Sequence, residues 1–297
     1  AGTFPGQGGT QGRDGTDAEF WPGFFCTKHF IEMVKEFENK NYWALILGGS
    51  AGLGLASAKK LALHGCNIII VHRNSKLDAA AIEQEFVQIK QTGVQLLSFN
   101  KDAMSAEKRE IMIAAIQENL GEAGKIRVLI HSIAKGNLKP MLDDEKPVLQ
   151  NDDFHLTLES MAISLYDWTK LLFEKKLFAA DARVMSFTSE GNKKAFKSYA
   201  AVSAAKAALE AITRNIALEF APFGIRANCI QAGVTDTEAF RKIPGHEMLK
   251  ENILNRNPFK RITTPQDVAN VVYLLAKDEA AWINGSIIIA DGGEHIS

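Results

Sequence analysis

Cysteine is scarce in this chain: Cys26, Cys66 and Cys229 are the three among 297 residues. Their wide spacing suits neither a zinc site nor an even-numbered disulfide framework, so no metal is expected, and a reducing, cytoplasmic setting is. Long apolar runs are also missing. The stretches "NIII" before Val71 and "IIIA" ending at Ala290 are strand-sized, short of the roughly twenty residues of a membrane-spanning helix. The N-terminus shows no basic segment followed by an apolar one, so neither a secretion signal nor membrane insertion is expected. Charge of one sign is lacking too: Lys+Arg 34 against Asp+Glu 35 leaves -1. Nothing pulls the chain as a whole toward nucleic acid, and a charged partner must meet a local patch.

Residues 1–40 are expected to be a Gly-rich N-terminal arm ending in a short helix, because the opening "AGTFPGQGGTQGRDGTDAEFWPGFF" has no periodicity. Residues 41–297 alternate short β-branched runs with amphipathic stretches of helical length, the pattern of a parallel sheet covered by helices. Strands are expected at 43–47, 67–72, 94–99, 126–131, 182–188, 225–230 and 286–290. Helices are expected at 53–64, 77–91, 105–120, 157–175, 200–219 and 265–276. The fold class is therefore α/β, a Rossmann-type doubly wound, seven-stranded parallel sheet in one domain. Ligands of such sheets lie beyond the carboxyl ends of the strands.

"WALILGGSAGLGLAS" runs from strand into helix through Gly48, Gly52 and Gly54. Glycines there let the backbone approach a pyrophosphate held by the helix start. The next strand ends "IIIVHRNSK", with Arg73 where an acidic residue would accept ribose hydroxyls. Arg73 can neutralise a 2′-phosphate, so NADPH is expected over NADH. Asp102 is placed either to meet the adenine amino group or to cap the next helix, for which Ser105 is better positioned.

The Gly-x3-Gly-x-Gly turn, a Ser ahead of a Tyr/Lys helix and the "GVTDT" loop resemble the short-chain dehydrogenase/reductase family over residues 42–297. Leu47, "HSIA" (131–134) and Ala232 depart from its most frequent pattern. The resemblance implies further cofactor contacts from Ser50, Leu53, Ala103, Ser132, Ile133, Ala134, Gly233, Val234 and Thr237. Val234 N–H and C=O would meet the nicotinamide carboxamide.

In "SYAAVSAAK", Tyr199 stands seven residues before Lys206, whereas the family's usual spacing is four. Each helical residue turns about 100°, so both spacings share a face. If Lys206 keeps the family's place, the usual tyrosine position is Val202, and Ser189 stands at the family's serine distance from it. The long spacing is similar to that of enoyl-acyl-carrier-protein reductases, in the subgroup that retains the Gly-x3-Gly-x-Gly turn. That resemblance implies catalytic Tyr199, Lys206 and Ser189, with Lys206 on the nicotinamide ribose and lowering the Tyr199 pKa. It also implies a role in fatty acid synthesis, an acyl carrier protein or coenzyme A thioester as substrate, and a homotetramer. The alternatives are a β-ketoacyl or other carbonyl reductase of the family and a non-catalytic NADP-binding sensor. A substrate lid is expected near 237–262, its apolar face made by Phe240, Ile243, Met248 and Ile253. Bases in and near it, such as Arg241, Lys250 and Lys194, are candidates to guide an acidic carrier protein.

Overall fold

The computed structural model describes residues 34–297. Most of the expected arm, Cys26 included, lies outside the described residues. Residues 36–41 form a turn that leads into the first strand.

Seven strands form: β1 (Tyr42–Leu47), β2 (Asn67–His72), β3 (Leu96–Asn100), β4 (Lys125–His131), β5 (Phe178–Thr188), β6 (Ile225–Ala232) and β7 (Ile287–Ala290). All pair in parallel in the order β3-β2-β1-β4-β5-β6-β7. The strand order reverses between β1 and β4, which opens a crevice at their carboxyl ends.

Alternation along β1 shows why both faces are covered. Leu45 and Leu47 join a core with Ile113 and Ile116 of α3 (Ala106–Leu120), Trp168 of α5 (Ser164–Glu174) and Leu209 of α6 (Ala200–Glu219). Ala44 and Ile46 point oppositely, to Leu61 of α1 (Gly52–Leu63), Phe86 of α2 (Ala79–Lys90) and Val272 of α9 (Pro265–Ala276). Side chains alternate across a strand, so a sheet buried on both faces reads as continuous apolar runs.

The helix expected at 157–175 starts earlier and is interrupted. It comprises α4 (Asn151–Leu158), a π turn over Glu159–Ile163, and α5. Ser160 and Ser164 hydroxyls donate to the carbonyls four residues back, Leu156 O at 2.8 Å and Ser160 O at 2.9 Å. Such back-bonding loosens the helical ladder where the extra residue is accommodated.

The amino ends of the strands hold a different chemistry. Arg127 and Arg183 are each 1% exposed and share Asp181, while Arg127 also reaches Asp278 at 2.7 Å. Burial pulls Asp181 upward, yet Arg183 and Arg127 outweigh it and hold the carboxyl below its ordinary value. This network fastens the sheet at the end away from the crevice.

Residues 237–262 leave the sheet and return at a bridge between Thr235 and Thr263. They carry the short α7 (Glu238–Arg241) and α8 (His246–Arg256).

Candidate active site

The glycine turn shapes the cofactor half. Gly48 has φ +83, and a Cβ there would stand 2.5 Å from Ser132 O; one on Gly54 would stand 2.3 Å from Gly48 O. The turn therefore packs directly on the start of the loop after β4, and Ser132 N donates to Leu47 O at 2.8 Å. Gly52 faces the Thr237 methyl, 3.5 Å from its Cβ position. Helix α1 has Ala51 at its N-cap, with no side-chain cap and no acidic residue in its first turn. The first-turn amides, those of Leu53 and Gly54 among them, are thus open to an anion and favoured by the helix dipole. A pyrophosphate fits this cradle, which added side chains would fill.

Ser50 ties the turn to the loop after β2 by donating to Asn74 Oδ1 at 2.8 Å. Arg73 on that loop is largely exposed and pairs with Asp102 at 3.0 Å. Asp102 Oδ1 accepts from Met104 N, and Ser105 is the cap of α3. Asp102 thus acts first as the partner of Arg73, and the capping alternative falls to Ser105. The Ala103 carbonyl is committed to Trp168 Nε1 at 3.1 Å. Ile133 is partly buried against the core, and Ala134, next on the loop after β4, is exposed.

Ser189 follows directly on β5, and Tyr199 is the residue that enters α6. The Tyr199 hydroxyl lies 3.3 Å from Ser189 Oγ. Burial pushes the Tyr199 pKa up, opposed by the Ser189 hydrogen bond, so Tyr199 carries its proton at neutral pH. The expected lowering by Lys206 is not found. Lys206, two turns further on, is buried and donates to Phe187 O at 2.6 Å. Burial pulls Lys206 down to about 8, against the raising influence of Cys229 and Glu210.

Val202 is 5% exposed and clusters with Met161, Ala205, Leu138 and Leu158. The loop after β4 closes over it, since a Cβ on Gly136 would come within 3.0 Å of Val202 Cγ2. The position at the usual tyrosine spacing is core, and the Tyr199 ring packs against the same cluster.

The nicotinamide loop is held from within the chain. Val234 N–H donates to Glu294 Oε2 at 3.1 Å, and Val234 C=O accepts from Thr263 N at 3.0 Å. Both groups expected to bind a carboxamide are engaged within the chain. Thr235 N–H, one residue on, forms no hydrogen bond among the described residues. Gly233 is fixed by crowding, because a Cβ there would meet Thr263 Oγ1 at 2.4 Å. Thr237 caps α7, accepting from Phe240 N at 3.2 Å. Glu294, buried and pushed upward by that burial, was invisible to spacing arguments.

The lid face also differs from expectation. Phe240 and Ile253 are buried, but Met248 is exposed. Arg256 of α8 reaches Glu190 at 3.2 Å, beside Ser189. Arg241 and Lys250 pair with Asp236, Lys242 with Glu238, Lys194 with Glu190 and Arg261 with Asp267. Most bases proposed to steer an acidic partner are therefore locally neutralised.

A dinucleotide cradle and a Ser/Tyr/Lys group on one crevice of a doubly wound sheet define a nicotinamide-dependent oxidoreductase. The chain belongs to the short-chain dehydrogenase/reductase family: residues 48–295 match the family model described as "Enoyl-(Acyl carrier protein) reductase". It is 27% identical over 252 residues to peroxisomal 2,4-dienoyl-CoA reductase [(3E)-enoyl-CoA-producing] of Danio rerio, covering 84% of this chain and 80% of that one. It is 29% identical over 264 residues to 2-dehydro-3-deoxy-D-gluconate 5-dehydrogenase of Formosa agariphila, covering 88% and 95%. Among solved structures, enoyl-[acyl-carrier-protein] reductase (NADH) from Aquifex aeolicus VF5 superposes with TM-score 0.75 at 25% identity, covering 88% of this chain and 98% of that one.

Proposed function

We propose that the chain reduces the carbon–carbon double bond of a trans-2-enoyl thioester, with NADPH as the cofactor. The observation that carries this reading is the displaced acid: Tyr199 meets Ser189 at 3.3 Å, while Val202 is sealed in the core. In ketone reduction, hydride and proton go to adjacent atoms. In enoyl thioester reduction hydride reaches C3 and charge develops on the thioester oxygen two bonds further away, so the acid must stand further from the hydride.

NADPH supplies the hydride when bound. Tyr199 donates a hydrogen bond, then its proton, to the enolate oxygen, stabilising charge that the bound substrate lacks and the transition state develops; the resulting enol tautomerises to the saturated thioester, C2 taking a proton from water as the hydroxyl proton leaves. Ser189 orients the phenol through the shared hydrogen bond. Lys206 would hold the ribose hydroxyls of the bound cofactor, and Arg73 would favour NADPH, since no acidic residue occupies its turn. The thioester is carried by coenzyme A or an acyl carrier protein. The paired lid bases favour no strong electrostatic steering, and the dienoyl-CoA reductase relative supports a conjugated olefin as the reacting group.

The gluconate dehydrogenase relative favours carbonyl chemistry as the second reading. Spectrophotometric NADPH consumption with crotonyl and acetoacetyl thioesters, on both carriers, separates the two. Faster crotonyl reduction is expected; faster acetoacetyl reduction overturns the proposal. Tight NADPH binding without turnover on either would favour the non-catalytic binder.

A further inference from the structure

Glu210 is 6% exposed in the interior beneath the crevice, one helical turn beyond Lys206 and on the same face of α6. A carboxylate is kept in such a place only if its hydrogen bonds are made. Its Oε1 accepts from Thr188 Oγ1 at 2.7 Å and from Asn192 Nδ2. These donors bracket the tract that carries the proposed chemistry. Thr188 precedes Ser189, and Asn192 follows Gly191, whose Cβ, if it had one, would stand 2.5 Å from Tyr199 Cε1. One oxygen thus anchors both ends of a five-residue tract against which the tyrosine ring rests.

We propose that Glu210 is a positioning residue: its carboxylate fastens the Ser189 tract to α6 and supplies the counter-charge of Lys206. This rests on the reading of Tyr199, Ser189 and Lys206 as the reacting group's partners. The titratable groups around Lys206 come from three elements. His131 on β4 is pulled down to about 3 by burial, Cys229 on β6 is pushed up by burial, and Tyr199 at the start of α6 is likewise raised. All three are neutral near pH 7, so at that pH Glu210 is the charge left to act on Lys206; Cys229, the larger raising influence, acts only once its thiol ionises at higher pH. Lys206 itself, lowered to about 8, is protonated below that pH and neutral above it. Removing the Glu210 charge lowers it further, and the pH range in which Lys206 is cationic contracts from its basic side.

The test uses the full chain and two readouts, NADPH affinity by fluorescence and kcat with a crotonyl thioester, across pH. Glu210→Gln keeps the shape and an acceptor oxygen but removes the charge. If the basic limb moves down by about one unit, both readouts weaken about fivefold at about pH 8 and stay near wild type at about pH 6. Glu210→Asp keeps the charge but shortens the reach, so its limb should stay while kcat falls at every pH. A Glu210→Gln limb superimposable on wild type overturns the counter-charge role. If Glu210→Gln does not fold, Asn192→Ala, on a partly exposed turn, still tests the fastening: kcat should fall several-fold with NADPH affinity unchanged, and an unchanged kcat overturns it. The affinity readout needs no turnover, so an inactive wild type with an unmoved or moved limb distinguishes failure of the reaction assignment from failure of this one.

Discussion

The Tyr199 hydroxyl stands 3.3 Å from Ser189 Oγ across a separation of ten residues, and the geometry depends on a glycine between them. Gly191 leaves the space that the tyrosine ring occupies, and the ring of Phe196 meets Tyr199 edge-on at 6.1 Å between centroids.

Gly191→Ala should therefore misplace the acid without touching the cofactor cradle. A displacement of about 1 Å in a reacting group costs on the order of a hundredfold, and a fall in kcat of at least tenfold is expected with NADPH affinity unchanged. Steady-state kinetics beside a fluorescence titration checks this; wild-type kcat in the variant would show that the ring has no fixed place.

Arg73 and Asp102 form a pair on the rim, and their balance should set the cofactor preference. Arg73→Ala is expected to weaken NADPH about tenfold, roughly 1.4 kcal/mol, and to leave NADH nearly unchanged. Asp102→Asn should release the guanidinium and tighten NADPH. Equal losses for both cofactors in Arg73→Ala would place the residue away from any 2′-phosphate.

His131 gives the fold an acid limit. Burial, aided by the charge of Lys206, lowers it from 6.5 to about 3, so the unfolded chain binds the extra proton between those values. Its contribution to stability is complete above about pH 6.5 and is lost as pH falls toward 3, at about 1.4 kcal/mol per pH unit. Denaturation of His131→Asn over this range should show a shallower acid decline than wild type; parallel declines would mean the imidazole is already charged in the fold.

Much of this was legible in the chain because the information is local. The apolar runs of β1, β2 and β4 are continuous since both faces are buried, and Ser189 and Lys206 stand out by their resemblance to the family's Ser/Tyr/Lys spacing. What escaped depends on long-range return of the chain. Glu294 reaches Val234 from sixty residues away, and Arg73 finds Asp102 across twenty-nine. Arg127 and Arg183 look like interruptions of apolar strands until Asp181 and Asp278 are placed beside them. The π turn between α4 and α5 conserves helical periodicity closely enough that composition alone reads one helix. Met248 matched an apolar face by spacing, but α8 turns it to solvent.

The displaced acid is tested most directly by comparing wild type with Tyr199→Phe in crotonyl thioester reduction, with NADPH affinity measured on the same preparations. Turnover should fall about a hundredfold or more, with affinity within a few-fold of wild type. A Tyr199→Phe enzyme that turns over crotonyl thioester at the wild-type rate would contradict the acid role of Tyr199.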